Sequence, residues 1–196
     1  MLRFRGSPAL SLFRLEKLLT TLRRWVPAVS DAYAEFVHFV DGSSLTTHDR
    51  EVLDRLLRYG PTAEQQHLNG EPPFLVIPRP GTISPWSSRA TDIAHNCGLQ
   101  DVRRIERGVA YYLEAAPPLT VDELAVLRPL LHDRMTEAVL GPDDDPAVLF
   151  AHAEPGPLAT VDVLGGGREA LTIANRTLGL ALSEDEIGYL LDGFTR

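Results

Sequence analysis

The chain repeats part of its own sequence at an offset of 74 residues, and this repeat limits the possible folds more than any other feature. The repeated positions are apolar helix positions and the residue that would cap the helix. Six of thirteen aligned positions are identical: Leu45, Thr46, Val52, Leu53, Leu56 and Leu57 match Leu119, Thr120, Val126, Leu127, Leu130 and Leu131. Two unrelated amphipathic helices would also share leucine positions, so accidental similarity is the alternative.

Each copy carries the same signals before its helix. Strand-like runs rich in Val, Phe and Tyr lie at 33–40 and 109–113. Capping-box patterns follow at Thr46-x-x-Asp49 and Thr120-x-x-Glu123. Two strand–helix–strand–helix units predict an α+β fold, a two-layer domain with an antiparallel sheet. The predicted strands are 2–7, 31–40, 74–77 and 102–114, the helices are 10–24, 47–59, 87–96 and 121–132, and a loop covers 59–73.

The net charge of −8 is confined to the last third of the chain. Residues 1–132 hold fifteen acidic and fifteen basic side chains, whereas residues 133–196 hold twelve acidic and four basic ones. This shift predicts a duplicated domain over 1–133 and an acidic linker region over 134–196, with His132 and Arg134 at the boundary. The linker is predicted to be mostly helix and loop, with loops at 141–145 and 154–158 and helices at 168–178 and 184–193.

Composition also limits the compartment and the partners. No run of 18 apolar residues exists, so we predict no membrane span and no membrane partner. Arg3, Arg5 and Pro8 interrupt the first residues too early for a signal peptide. The single cysteine, Cys97, allows no intrachain disulfide. The acidic last third lacks the clustered cations that nucleic acid needs, so we expect no nucleic-acid partner. We also expect a cytoplasmic protein, since a single cysteine is compatible with a reducing compartment.

The segment 74–99 carries the candidate functional residues. A buried strand breaks at Pro78, Pro80 and Gly81, and the chain then enters a helix through a hydroxyl-rich loop. Hydroxyls and backbone N–H groups at a helix start suit an anion, and arginine grips carboxylate or phosphate. One interpretation is a loop over a substrate or an inter-domain channel, and the other is a surface turn with a helix cap. The candidate residues are Arg79, Thr82, Ser84, Trp86, Ser87, Ser88, Arg89 and Thr91.

No catalytic or metal-binding constellation is predicted. Cys97 lies at a predicted helix end before Gly98, outside any nucleophile elbow, so we interpret it as a buried structural thiol. Gly165–Gly167 lacks the lysine of a phosphate loop, and the acidic run 143–145 is interpreted as solvated. The histidines lack ligand spacing and are interpreted as structural or surface residues: His38, His48, His67, His95, His132 and His152.

Four runs resemble the N-terminal region of large-type phosphoribosylformylglycinamidine synthase, the glutamine-dependent amidotransferase of purine biosynthesis. They are FLVIPRPGTISPWSSRATDIAHNCGL at 74–99, VRRIERG at 102–108, LHDRMTE at 131–137 and LGGGREAL at 164–171. Together they lie between residues 74 and 171, in the order found in that family. Arg89 departs from the pattern, which leads us to expect Lys, but it keeps the charge.

The resemblance implies a non-catalytic front region, built like a fused pair of the small subunit used by the split form of the enzyme. It implies docking on the synthetase and glutaminase domains, a contribution to the formylglycinamide ribonucleotide site, and help in enclosing the ammonia path. It also implies that this region binds no cofactor, while the full-length enzyme uses ATP and magnesium. The alternative is a free-standing module for small-molecule binding or subunit interaction.

Overall fold

A computed structural model of the chain describes residues 1–60, 72–151 and 158–195. The chain divides into two compact units, Met1–Ala153 and Glu154–Arg196. The first unit therefore extends 20 residues beyond the predicted boundary at 133. Most of the predicted loop 59–73, most of the loop 154–158, His67 and His152 lie outside the described residues.

The first unit confirms the α+β class and the order of two strand–helix–strand–helix repeats. Its first repeat runs through β1 (Leu2–Pro8), α1 (Leu12–Trp25), β2 (Val29–Gly42) and α2 (Thr47–Leu56). The second repeat runs through β3 (Phe74–Pro78), α3 (Pro85–Asn96), β4 (Val102–Ala115) and α4 (Val121–Leu127). A fifth strand, β5 (Glu137–Leu140), and a 3-10 helix, Pro146–Phe150, follow.

The five strands form one sheet in the order β1-β2-β4-β3-β5, and every neighbouring pair is antiparallel. The two longest strands, β2 and β4, lie side by side at its centre, with Phe36 opposite Val109. β2 and β4 begin 73 residues apart, so each β2 residue corresponds to the β4 residue 73 positions later. Pairs at equal distances on either side of the Phe36–Val109 pair are therefore equivalent in the two repeats. The register places Ala34 opposite Tyr111 and His38 opposite Arg107.

The predicted repeat is also confirmed at its helices. Thr46 and Thr120 both cap their helices and form complete capping boxes with Asp49 and Glu123. Leu53 and Leu127 are both fully buried. Leu53 packs with α3 and one end of the sheet, whereas Leu127 packs with α1 and the other end.

The opposite face of the sheet carries a third apolar cluster. Val37 and Phe39 of β2 pack there with Leu75 and Ile77 of β3. Leu149 of the 3-10 helix completes this cluster and is almost fully buried. The segment after β5 therefore belongs to the core of the first unit.

The fifth strand was not expected, because residues 137–140 fall in the region predicted as linker. β5 pairs with β3, which places Ala138 opposite Ile77 and Leu140 opposite Leu75. A four-residue strand is too short to show an alternating pattern, and it lies just before an acidic loop. Its pairing with a distant buried strand decides its conformation, and this is also why the first unit continues past residue 133.

The second unit contains two helices, α5 (Val163–Leu178) and α6 (Glu184–Thr195). Leu171 and Ile187 pack together between them. α5 begins earlier than predicted and bends at Gly167, whose φ of 55° is in the left-handed region that glycine tolerates. The predicted capping box before α6 is confirmed, since Ser183 and Glu186 exchange hydrogen bonds of 2.8 to 3.3 Å. Within the described residues, no helix is long and apolar enough to cross a membrane.

We expect Leu53→Ala and Leu127→Ala each to lower the free energy of unfolding by about 2–5 kcal/mol, because each removes a fully buried side chain. Urea denaturation of the chain measures both losses. Val121→Ala is the matched control, since Val121 is 82% exposed at the start of α4. Two leucine variants as stable as this control would show that the repeat does not place equivalent core residues.

Candidate functional site

The segment 79–91 leaves the buried strand β3 and enters α3 through a rigidly held turn. Ser84 is the N-cap of α3, and its Oγ accepts a hydrogen bond of 3.0 Å from the Ser87 N–H. Pro85 follows at the first helical position, where its missing N–H is harmless. Gly81, with a φ of +84°, allows the turn that precedes the cap.

The buried carboxylate of Glu106 holds this turn against β4. Glu106 is completely buried, and its oxygens accept hydrogen bonds from the Ser84 N–H at 3.2 Å and the Ser84 hydroxyl at 2.8 Å. Arg104 forms a salt bridge with the same carboxylate and donates to the Thr82 carbonyl at 2.6 Å. A buried charge is stable only when it is paired and hydrogen-bonded, and these partners meet that need.

Most of the predicted hydroxyl groups have a role in folding. The Thr82 hydroxyl donates to the Arg79 carbonyl at 2.6 Å, and the Thr91 hydroxyl accepts from the Ile105 N–H at 3.0 Å. Ser87 is fully buried, and its Oγ has no hydrogen-bond partner among the described residues. Ser88 is exposed on α3. The sequence indicated a hydroxyl-rich loop but could not assign these hydroxyls to internal bonds.

The two predicted arginines are presented outward from this fixed turn. Arg79 and Arg89 both have exposed side chains. The Arg79 N–H donates to the Thr136 carbonyl at 3.0 Å, so its backbone is tied to the chain just before β5. Their role in contacting a substrate or another domain stays a prediction.

Trp86 differs from the other candidate residues because it is turned onto the sheet. Its ring centroid lies 5.5 Å from that of His38 and 4.8 Å from the Arg107 guanidinium carbon. Arg107 also lies 4.1 Å from the centroid of the Phe36 ring, and it donates to the Tyr59 hydroxyl at 3.2 Å. We call these five residues the Arg107 cluster: Phe36, His38, Tyr59, Trp86 and Arg107.

Sequence reasoning missed this cluster except for Trp86. The β2–β4 register places His38 opposite Arg107, and the start of α3 brings Trp86 above them. The RRIERG run drew attention to Arg107 only as part of a resemblance. No signal along the chain links residues 38, 59, 86 and 107, because their proximity depends on pairing between distant strands.

His38 is a buried, neutral imidazole within this cluster. It is fully buried, and burial, together with the positive charge of Arg107, lowers its pKa to about 4. Its Nε2 lies 2.7 Å from the Tyr59 hydroxyl, which already accepts from Arg107 and can donate its own proton to Nε2. The other ring nitrogen, Nδ1, has no hydrogen-bond partner among the described residues.

The remaining predicted sites are surface features. His132 Nδ1 lies 3.1 Å from the carbonyl of Arg128, and this contact caps the short 3-10 helix that follows α4. Arg134 is exposed. Both lie inside the first unit rather than at its edge. Cys97 is an exposed free thiol, so the interpretation as a buried thiol was wrong: the C-cap position turns it toward solvent. No metal-binding group of three or more His, Cys, Asp or Glu side chains occurs in the described ranges.

We expect Glu106→Ala to lower the free energy of unfolding by about 3–5 kcal/mol, because it leaves the Arg104 charge and the Ser84 donors without their acceptor. Urea denaturation measures the loss, and hydrogen exchange of the amides at 84–88 shows whether the turn loosens. Glu114→Ala, an exposed position on the same strand, is the matched control. A loss equal to that of the control would remove Glu106 as the anchor.

We expect acid to destabilise the chain through His38. Its folded pKa of about 4 lies below the ordinary value of 6.5, so between these pH values the unfolded chain binds more protons. Stability at neutral pH is therefore lost as the pH falls from about 6.5 to 4, by roughly 3 kcal/mol. Urea denaturation at pH 7 and 4.5 should show this loss in wild type and in His48→Gln, an exposed control, but less of it in His38→Gln. Equal pH dependence in all three would contradict the assignment.

The chain matches one family of known proteins across the segments described above. The model of the formylglycinamide ribonucleotide amidotransferase N-terminal family matches residues 35–150. This range is more than half of the chain, and it includes segment 79–91, Glu106 and the Arg107 cluster. It also includes β5 and the 3-10 helix that extend the first unit beyond the predicted boundary. The chain belongs to the formylglycinamide ribonucleotide amidotransferase N-terminal family, which forms part of an enzyme of purine biosynthesis.

Proposed function

We propose that this chain is the non-catalytic N-terminal region of a synthase that makes formylglycinamidine ribonucleotide. The complete enzyme would use formylglycinamide ribonucleotide, ATP and glutamine, and ATP and magnesium would bind in its other domains. The observation that carries the proposal is the family match over residues 35–150, which includes a rigid turn with outward-facing cations. The chain would contribute surfaces to this enzyme rather than a nucleophile or a phosphate loop.

The exposed side of segment 79–91 is the surface that we propose docks on the synthetase and glutaminase domains. Its inner side is fixed by Glu106 and Arg104, so docking would immobilise little additional backbone. Its outer side presents Arg79, Arg89 and Ile83, which is 62% exposed. Two exposed cations and one exposed apolar side chain in a single segment suit a partner surface that carries both apolar and acidic side chains.

Docking at this place would serve the chemistry in two ways. The ammonia released from glutamine must reach the activated substrate amide without escaping into water. A rigid turn that closes the seam between two domains would exclude water from that path. The same turn would help to shape the edge of the formylglycinamide ribonucleotide site, and the hydroxyls of Thr82, Ser84 and Thr91 would stay in their internal hydrogen bonds.

The second unit favours one alternative, a free-standing subunit that associates through its last helix. Tyr189 and Phe194 of α6 are 79% and 61% exposed. They line a shallow apolar depression with Leu190 and Gly193. Exposed aromatic side chains are typical of interaction surfaces. A chain that self-associates through α6 and binds no synthase polypeptide would support this alternative.

We expect Arg89→Ala in the complete synthase to lower turnover at least tenfold, because a charge-assisted contact buried at an interface costs about 2–5 kcal/mol when truncated. The melting temperature of the chain alone should stay unchanged, since Arg89 is exposed. Amidine formation and thermal melting measure the two effects.

Two control variants sharpen this experiment. Arg89→Lys keeps the charge and should retain most of the turnover. Arg55→Ala removes an exposed arginine of α2 and should change neither quantity. Full turnover per folded molecule in Arg89→Ala would reject segment 79–91 as the docking surface. Trp86→Ala does not serve here, because Trp86 packs against His38 and Arg107 and its loss would disturb folding.

A further inference from the structure

We propose that Arg107 binds the carboxylate of an Asp or Glu side chain from the synthase polypeptide that docks on segment 79–91. This inference rests on the proposed function and names a second contact next to the proposed surface. Arg107 is half-buried at the centre of the sheet, beside Phe36 and Trp86. Its strand neighbours on the same face, Ile105 and Val109, pack into two different apolar clusters, so it lies between them.

The guanidinium of Arg107 is incompletely satisfied within the chain. Its one hydrogen bond among the described residues goes to the neutral Tyr59 hydroxyl, which uses one of its five N–H groups. Other arginines of the first unit pair with a carboxylate in the described ranges: Arg5 with Glu35, Arg58 with Asp54, Arg103 with Asp41 and Arg104 with Glu106. Exposed arginines need no partner, but a half-buried charge is costly without one.

The aromatic rings explain how the chain holds this charge without an anion. Phe36 and Trp86 offer their π-systems at 4.1 Å and 4.8 Å from the guanidinium carbon. Such contacts hold a cation in a fixed orientation but leave its N–H edge available. A stacked, oriented guanidinium with a free edge is the arrangement that grips a planar carboxylate with two parallel hydrogen bonds.

A carboxylate fits the charge of this cluster better than a phosphate dianion. Arg107 is the one cation of the five residues, because the pKa of His38 is lowered to about 4 and leaves its imidazole neutral. A monoanion would balance the single charge, and a dianion would stay half uncompensated. His38 Nδ1 and Ser87 Oγ are buried without hydrogen-bond partners among the described residues, and neither of them adds charge.

The carboxylate should belong to a polypeptide rather than to a free organic acid. A millimolar dissociation constant already requires about 4 kcal/mol, and one ion pair does not supply this after its desolvation. A side chain on a docked domain needs no such affinity, because the rest of the interface holds it in place. Trp86 belongs to segment 79–91 and contacts Arg107, so one docked surface can reach both the segment and the Arg107 guanidinium.

The test uses Arg107→Met, which keeps the apolar stem but removes the charge and the donors. The chain and the remainder of the synthase are produced separately, and their association is measured by calorimetry. We expect Arg107→Met to weaken association at least 30-fold, and Arg107→Lys to recover part of it, since Lys lacks the fork geometry. The melting temperature of the chain should change by less than about 3 °C, because no internal ion pair is lost.

Arg104→Met is the matched control for a structural arginine. It breaks the internal pair with buried Glu106 and should lower the melting temperature by more than about 5 °C. If Arg107→Met melts like this control and associates like wild type, Arg107 is structural and the inference is wrong. If Arg89→Ala weakens association but Arg107→Met does not, the inference fails alone.

Two further outcomes separate this inference from the proposed function. If the wild-type chain does not bind the remainder of the synthase, the proposed function fails, and the inference that a synthase carboxylate binds Arg107 fails with it. Acetate and inorganic phosphate are titrated against the wild-type chain, with Trp86 fluorescence as the signal in a Trp25→Phe background. If acetate or phosphate binds saturably with a dissociation constant of about 1 mM, and Arg107→Met abolishes this binding, Arg107 is a site for a free anion and not for a polypeptide carboxylate.

Discussion

The antiparallel pairing of β2 with β4 is the constraint on which the rest of the first unit depends. It joins the two repeats at the centre of the sheet, so each repeat contributes one long strand and one shorter strand beside it. It also fixes which residues face each other across the repeats, including His38 and Arg107. A shift of one residue would turn every side chain of one strand to the opposite face, and both helix clusters would lose their apolar floor.

Glu106 transmits this register to the candidate functional surface. It lies on the sheet face opposite to its neighbour Arg107, and there it accepts the N-cap of α3. The start of α3 then places Trp86 above Arg107 on the other face. Glu106 and Arg107, which are adjacent on β4, thus contact segment 79–91 and form part of the Arg107 cluster, respectively.

The repeated architecture was predictable because its signals are local. Capping boxes, leucine spacing and apolar strand runs each lie within about ten residues, and Thr46, Thr120, Leu53 and Leu127 occupy the expected positions. What sequence reasoning missed depends on contacts between distant residues. β5 exists because β3 offers it an edge, and the Arg107 cluster forms only after β2 pairs with β4. Local patterns carry no information about such pairings.

The two-fold character of the sheet makes the asymmetry of the Arg107 cluster informative. At the offset of 73 residues between β2 and β4, the equivalents of His38 and Arg107 are Tyr111 and Ala34, which are buried in the cluster of α1 and α4. The equivalent of Trp86 is Phe13, which is 74% exposed. One end of the symmetric scaffold is thus filled with apolar side chains. The other end keeps a charge and two unpaired buried polar atoms, which packing alone does not require. A polar group that costs stability at one of two equivalent places points to a role outside the fold, which agrees with the carboxylate contact that we propose for Arg107.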